Sequence, residues 1–101
     1  MSRMEPLDVA PDTLAEICRR YHVRELSVFG SVARGQGGPD SDVDLLVVFE
    51  EDARVTLFTL IELQEELSVL FMRRVDLVPK GGLKRALQPE VLAEALVLYA
   101  A

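Results

Sequence analysis

The sequence contains one cysteine, Cys18, so no internal disulfide can form. Leu14, Ile17 and Tyr21 share its helical stripe, which reads Cys18 as a packed side chain with no catalytic role. Long apolar runs are missing as well. No segment approaches the length that spans a bilayer, and Met1 to Pro6 lacks the apolar stretch of a signal peptide. A soluble, cytoplasmic chain without membrane association is the expectation. Basic residues are scarce: 11 Lys and Arg stand against 17 Asp and Glu, a formal net charge of −6. That balance opposes strong binding to nucleic acid, whose phosphates favour surfaces rich in Lys and Arg, and accommodates a protein partner more easily. The single histidine, His22, follows Arg19-Arg20 at the end of a helix. There positive charge complements the dipole, and no catalytic role is assigned.

Two phosphate and metal motifs are approached but not completed. Gly30 and Gly35 have the glycine spacing of a P-loop, yet Gln36 and Gly37 stand where Lys and then Ser or Thr must be. Asp40, Asp42, Asp44 and Glu51 fall at positions one, three, five and twelve of an EF-hand loop. Leu45 occupies the position that requires glycine, and the apolar run beginning there would be stranded in a solvent-exposed loop.

About half of the 101 residues are apolar, enough for one core, so residues 1–101 are read as a single domain. Pro11 and Asp12 suit the first turn of a helix running to about Tyr21, with apolar positions 14, 17, 18 and 21. Leu26 to Phe29 reads as a strand, and Gly35 to Ser41 is dense in turn formers. A second strand from about Asp42 to Phe49 is apolar on both faces over Leu45 to Phe49, as in the middle of a sheet. Leu57, Leu60, Ile61, Leu67 and Phe71 recur at helical intervals and leave Glu62, Glu65 and Glu66 for solvent, which defines the longest helix. Val75 to Val78 is a short third strand ended by Pro79. Lys80-Gly81-Gly82 then turns the chain into a broken helical tail whose second part opens near Pro89-Glu90. Val97 to Ala101 is either a docking surface or the last turn of a core helix, and the helical reading is preferred. Strand, helix, strand from Asp42 to Val78 is a crossover of ordinary length, so those two strands are expected to be parallel neighbours. The predicted fold is α/β or α+β: a small mixed three-stranded sheet flanked by helices.

The chemistry concentrates where charge interrupts this pattern. Asp42 and Asp44 are two apart at a strand start, so alternation points both carboxylates to one face, roughly 7 Å apart at Cα. With Asp76 on the adjacent strand, three carboxylates can hold two Mg²⁺ ions of the kind that assist in-line nucleotidyl transfer. Burying such negative charge without a cation would be costly. Upstream, Gly30 lacks the Cβ that would block close backbone approach. Ser31 offers a hydroxyl and an N–H at the start of a short helix, and Arg34 lies one turn on, where it can pair with phosphate oxygens. Each signal alone has a blander explanation: a solvated strand edge, a helix cap, a solvent-facing arginine. Joined in this order beside two apolar strands, they point to one site. Lys80 and Lys84 follow the strand of Asp76 but are read as solvent-facing turn residues.

Gly30-Ser31-Val32-Ala33-Arg34-Gly35, then Ser41-Asp42-Val43-Asp44, then Asp76 on a later strand resembles the minimal nucleotidyltransferases, the MNT proteins, of the polymerase-β-like superfamily. The resemblance covers nearly the whole chain and implies a nucleotidyltransferase palm fold. It implies that Gly30 and Ser31 bind nucleotide phosphates, that Asp42 and Asp44 ligate Mg²⁺, and that Asp76 acts as ligand or base. It also implies ATP as substrate and a helical HEPN protein as partner. The well-understood members resemble antitoxins that transfer AMP to a tyrosine of a HEPN toxin. Two other functions fit the residues: a non-catalytic module that neutralises a basic helical partner through its acidic surface, and nucleotidyl transfer to RNA, which the acidity disfavours.

Overall fold

The computed structural model describes residues 9–36, 38, 40–83 and 87–101. Gly37 and Pro39 of the predicted loop, and Lys84, lie outside the described residues.

The element order is α1 (Pro11–Arg20), β1 (Val23–Phe29), α2 (Gly30–Ala33), β2 (Val43–Phe49), α3 (Leu57–Phe71), β3 (Val75–Pro79), a 3₁₀ turn (Lys80–Gly82), α4 (Gln88–Glu94) and β4 (Leu96–Ala100). Helix α1 begins with proline in its first turn, where a missing N–H is no loss, and carries Arg19 and Arg20 at its end. His22 takes a left-handed backbone, φ 59°, that turns the chain straight into β1, so the strand starts three residues earlier than the sequence suggests. Helix α3 opens on a capping box in which Thr56 and Thr59 each accept the other's backbone N–H at 3.2 Å. It closes on Met72 at φ 55°.

The sheet has four strands in the order β3-β2-β1-β4, not three. β2 and β3 are parallel, as the crossover requires, while β1 is antiparallel to both β2 and β4. The expectation of a closing helical turn over Val97–Ala101 is overturned: this segment is the edge strand β4, with Leu26 paired to Tyr99 and Ser27 to Val97. A short apolar run suits a buried helix or a strand equally well, and the open edge of β1 decides between them by supplying unpaired backbone groups.

Helices α1 and α3 pack on one face of the sheet. Leu14, Ile17 and Cys18 from α1 and Leu63, Leu67 and Phe71 from α3 meet Leu26, Val28, Val43, Leu45, Val47, Val75 and Leu77 in one buried cluster. The buried stripe of α3 is rotated from the predicted one: Leu57 and Ile61 are 69% and 43% exposed, and Leu63 takes the interior place. Two polar side chains of α3 fix β3 against it. Gln64 Oε1 accepts the Leu77 N–H at 2.9 Å, and Ser68 Oγ accepts the Val75 N–H at 3.2 Å. Arg20 and the Tyr21 hydroxyl both donate to Glu66, at 2.8 and 2.5 Å, tying α1 to α3, so Arg20 and Glu66 are paired rather than merely solvated. No helix among the described residues is long and apolar enough to cross a membrane.

Candidate active site

Phe29, the last residue of β1, is the antiparallel partner of Asp44, and Asp44 is the parallel partner of Asp76. Directly paired residues on neighbouring strands share a face, so Phe29, Asp44 and Asp76 form a row across three strands. Their sequence neighbours Val43, Leu45, Val75 and Leu77 are buried in the core, which turns the row to the face opposite α1 and α3. Asp42 stands two residues before Asp44. Asp42 precedes the first residue of β2, whose N–H donates to the Arg74 carbonyl at 2.8 Å, and it lies near enough for its charge to act on Asp44. Asp42 and Asp76 are exposed and Asp44 is half-buried.

Gly30 is required twice over. Its φ of +78° is a left-handed conformation that disfavours a Cβ, and a Cβ built there would collide with Oδ2 of Asp44 and lie 3.3 Å from its Cγ. The strand-to-helix turn therefore lies directly against the central carboxylate. Ser31 follows, half-buried, in α2, which is a single turn of four residues. Any anion held here is consequently held by individual donors rather than by a helix dipole. Arg34, one turn beyond Gly30, points its guanidinium back over that turn. Its Nη1 donates to both carboxylate oxygens of Glu94 on α4, at 3.0 and 2.9 Å, and the Gly30 N–H donates to Glu94 Oε1 at 3.2 Å. Two donors assigned to phosphate from the sequence thus already converge on one anionic group.

The acidic row carries its own electrostatic signature. Burial, then the charges of Asp76 and Asp42, push the Asp44 carboxyl above the usual carboxylate range, and Arg34 offsets part of this. Three carboxylates that repel one another, with Arg34 as the nearby cation, form an oxygen donor set suited to a hard divalent ion. Among the described residues no three ligating side chains stand close enough to make a ready-made cage. A hard cation at this row would therefore draw on one or two of the carboxylates, with water and substrate phosphates completing its shell.

Sequence reasoning missed two residues. Glu94 was not singled out, and its pairing with Arg34 spans 60 positions. Arg73 donates from Nη2 to the Gly38 and Ser41 carbonyls at 2.7 and 2.9 Å, and from Nε to Ser41 at 3.2 Å. It thereby straps the loop that delivers Asp42. The only local hint was the Arg73-Arg74 pair just before β3, which says nothing about a partner 32 residues earlier. His22 is exposed and contributes its carbonyl to the Glu50 N–H at 2.9 Å. A hollow of about 490 Å³ between α1 and α3, lined by Ile17, Tyr21, Glu62 and Val69 among others, lies on the helical side and so across the sheet from the aspartates.

Comparison with known proteins gives the family and the fold. The chain is 48% identical over 81 residues to the protein adenylyltransferase MntA of Thermococcus cleftensis, covering 80% of each chain. A solved structure described as a candidate minimal nucleotidyltransferase superposes with a TM-score of 0.72 at 42% identity, over 85% of this chain and 86% of that one. A chain from the complex of the tri-AMPylated Shewanella oneidensis HEPN toxin with MNT antitoxin has the same fold, with a TM-score of 0.64 at 18% identity over 90% and 70% of the two chains. A family model for the nucleotidyltransferase domain matches residues 11–99, and with the Gly30 turn set against paired strand aspartates, the chain belongs to that nucleotidyltransferase family.

Proposed function

We propose that this protein is a Mg²⁺-dependent adenylyltransferase that moves AMP from ATP to a hydroxyl of a partner protein, a tyrosine of a HEPN-type toxin, and so serves as its antitoxin. The observation that carries the reading is the in-register pairing of Asp44 with Asp76 beside the Gly30 turn. The 48% identity to the protein adenylyltransferase MntA supports the acceptor class, and the HEPN–MNT complex of the same fold supports the partner.

In this mechanism Asp42, Asp44 and Asp76 are the residues that would hold Mg²⁺, two ions in all. When bound, Mg²⁺ neutralises phosphate charge and acts as a Lewis acid toward the phosphoryl oxygens. The triphosphate lies against the Gly30 and Ser31 turn, with the Ser31 hydroxyl and the Arg34 guanidinium donating to its oxygens. The acceptor oxygen forms a bond to the α-phosphorus while the bond to the bridging oxygen breaks and pyrophosphate leaves. Asp76, the most solvent-open member of the paired row, would receive the proton of the attacking hydroxyl or help to hold Mg²⁺.

The test is transfer of label from α-³²P-ATP to the partner by the double variant D42N/D44N. Both sites flank solvent or are half-buried, so the fold is retained while labelling disappears; undiminished labelling refutes the assignment. A stoichiometric binding role has one observation of its own, the exposed Phe58 and Val69 on α3, each 78% exposed. Survival of toxin neutralisation in the same double variant separates binding from catalysis.

A further inference from the structure

We infer that Glu94 is an internal phosphate surrogate which the nucleotide must displace, and that it thereby sets the affinity for polyphosphate groups. This rests on the proposed reading that the triphosphate lies against Gly30, Ser31 and Arg34.

The argument begins with what these donors already hold. Arg34 Nη1 contacts both oxygens of the Glu94 carboxylate, and Oε1 also takes the Gly30 N–H. One planar anion therefore satisfies a guanidinium and a backbone amide together, the arrangement by which such donors bind a phosphate oxygen pair. The Glu94 side chain is only 28% exposed and that of Arg34 45%, so the pair is partly withdrawn from solvent but not locked in the core. The Arg34 guanidinium, with the Gly30 N–H assisting and burial opposing, holds the Glu94 carboxyl below the usual range, so it is an anion at neutral pH.

A triphosphate cannot use the same donors while Glu94 holds them, and a carboxylate left in place would repel it. Glu94 is the last residue of the seven-residue α4, which buries none of its residues, so the carboxylate can swing away without disturbing the core. A site whose binding-competent form is only a fraction of the population shows an apparent Kd larger by the inverse of that fraction. An ion pair formed about nine times in ten accordingly weakens polyphosphate binding about tenfold. AMP offers one phosphate where the triphosphate offers three, so it gains less when Glu94 leaves the Gly30 N–H and Arg34. The contact thus favours ligands that compensate displacement with several anionic groups, and it closes again over the donors once pyrophosphate has left.

The experiment is calorimetric titration of wild type, E94Q and E94A with three probes in the presence of Mg²⁺: α,β-methylene-ATP, inorganic triphosphate and AMP. Thermal unfolding by circular dichroism verifies the fold of each variant. The expected result is that both variants bind α,β-methylene-ATP and triphosphate roughly threefold to tenfold more tightly, with AMP changed less than about twofold. Should wild type bind α,β-methylene-ATP while both variants bind it equally well or more weakly, Glu94 is a positioning partner of Arg34 and the inference is overturned. An equal gain for AMP overturns it too, since the effect would be general charge removal. Failure of wild type and both variants to bind α,β-methylene-ATP at all sinks the nucleotide-site reading itself, and the inference with it. Binding by the variants alone supports both.

Discussion

Replacement of Gly30 by alanine, read against the same change at Gly35, separates backbone strain from site geometry. Both glycines have left-handed φ, +78° and +74°, so each substitution costs about 1–2 kcal/mol of conformational energy. For a domain of this size that lowers Tm by about 4–8 °C per kcal/mol. Around Gly35 a new Cβ meets nothing within 4 Å, whereas at Gly30 it collides with Oδ2 of Asp44 and crowds Cγ at 3.3 Å. The colliding atom is the end of a short side chain that rotates away, so the extra cost to stability is small, on the order of 1 kcal/mol. The cost to function is not small, because the carboxylate that rotates is the central one of the acidic row, and a displacement of about 1 Å in a reacting constellation lowers rate about 100-fold. The two variants are therefore expected to melt within about 8 °C of each other. G35A keeps most of its transfer of label from α-³²P-ATP, and G30A loses it by about 100-fold or more. Circular dichroism melting and a labelling time course read the two quantities. Equal activity in the two variants would refute the claim that Gly30 exists to seat Asp44.

Two further outcomes follow from the contacts described. R73A removes a charged donor from the Gly38 and Ser41 carbonyls, so it loses about 1–3 kcal/mol of stability and raises the Mg²⁺ concentration for half-maximal labelling, with R73K recovering only part because lysine lacks the fork. An unchanged Mg²⁺ dependence would show that the loop needs no strap. The buried Cys18 thiol is pushed up to about 12, chiefly by burial and slightly countered by Arg19. Native protein at pH 8 should then resist iodoacetamide that labels it rapidly in urea. The unfolded thiol ionises near its ordinary value while the folded one stays neutral, so this contribution to stability is complete below about pH 8.5 and declines as pH rises toward 12. Melting curves of wild type and C18A from pH 7 to 10.5 should show a steeper alkaline decline in wild type, because Tyr21, pushed up to about 12 by its hydrogen bond to Glu66, contributes to the decline in both.

Much of the site was legible because its signals are local. Asp44 lies on β2 and Asp42 just before its first residue, and the two-residue spacing read from the sequence brings Asp42 near enough for its charge to act on Asp44. The crossover from β2 through α3 to β3 similarly dictated a parallel pair, and Asp76 entered the row through the register that this pairing imposes. The buried stripe of α3 was less legible: apolar residues outnumber the places available, and Leu57 and Ile61 are left exposed while Leu63 is buried.

The amino-acid sequence alone determined the alternation of helices and strands, the glycine turn and the acidic strand start, since these depend on backbone preference and on periods of 2 and 3.6 residues. Only the tertiary structure decided that Leu96–Ala100 is a strand on the open edge of β1, that Arg73 holds the Ser41 loop, and that Glu94 sits on Gly30 and Arg34. Each of these depends on which distant groups the folded chain leaves unpaired, and an apolar run, an arginine or a glutamate acquires its partner only when packing brings that partner within hydrogen-bond reach.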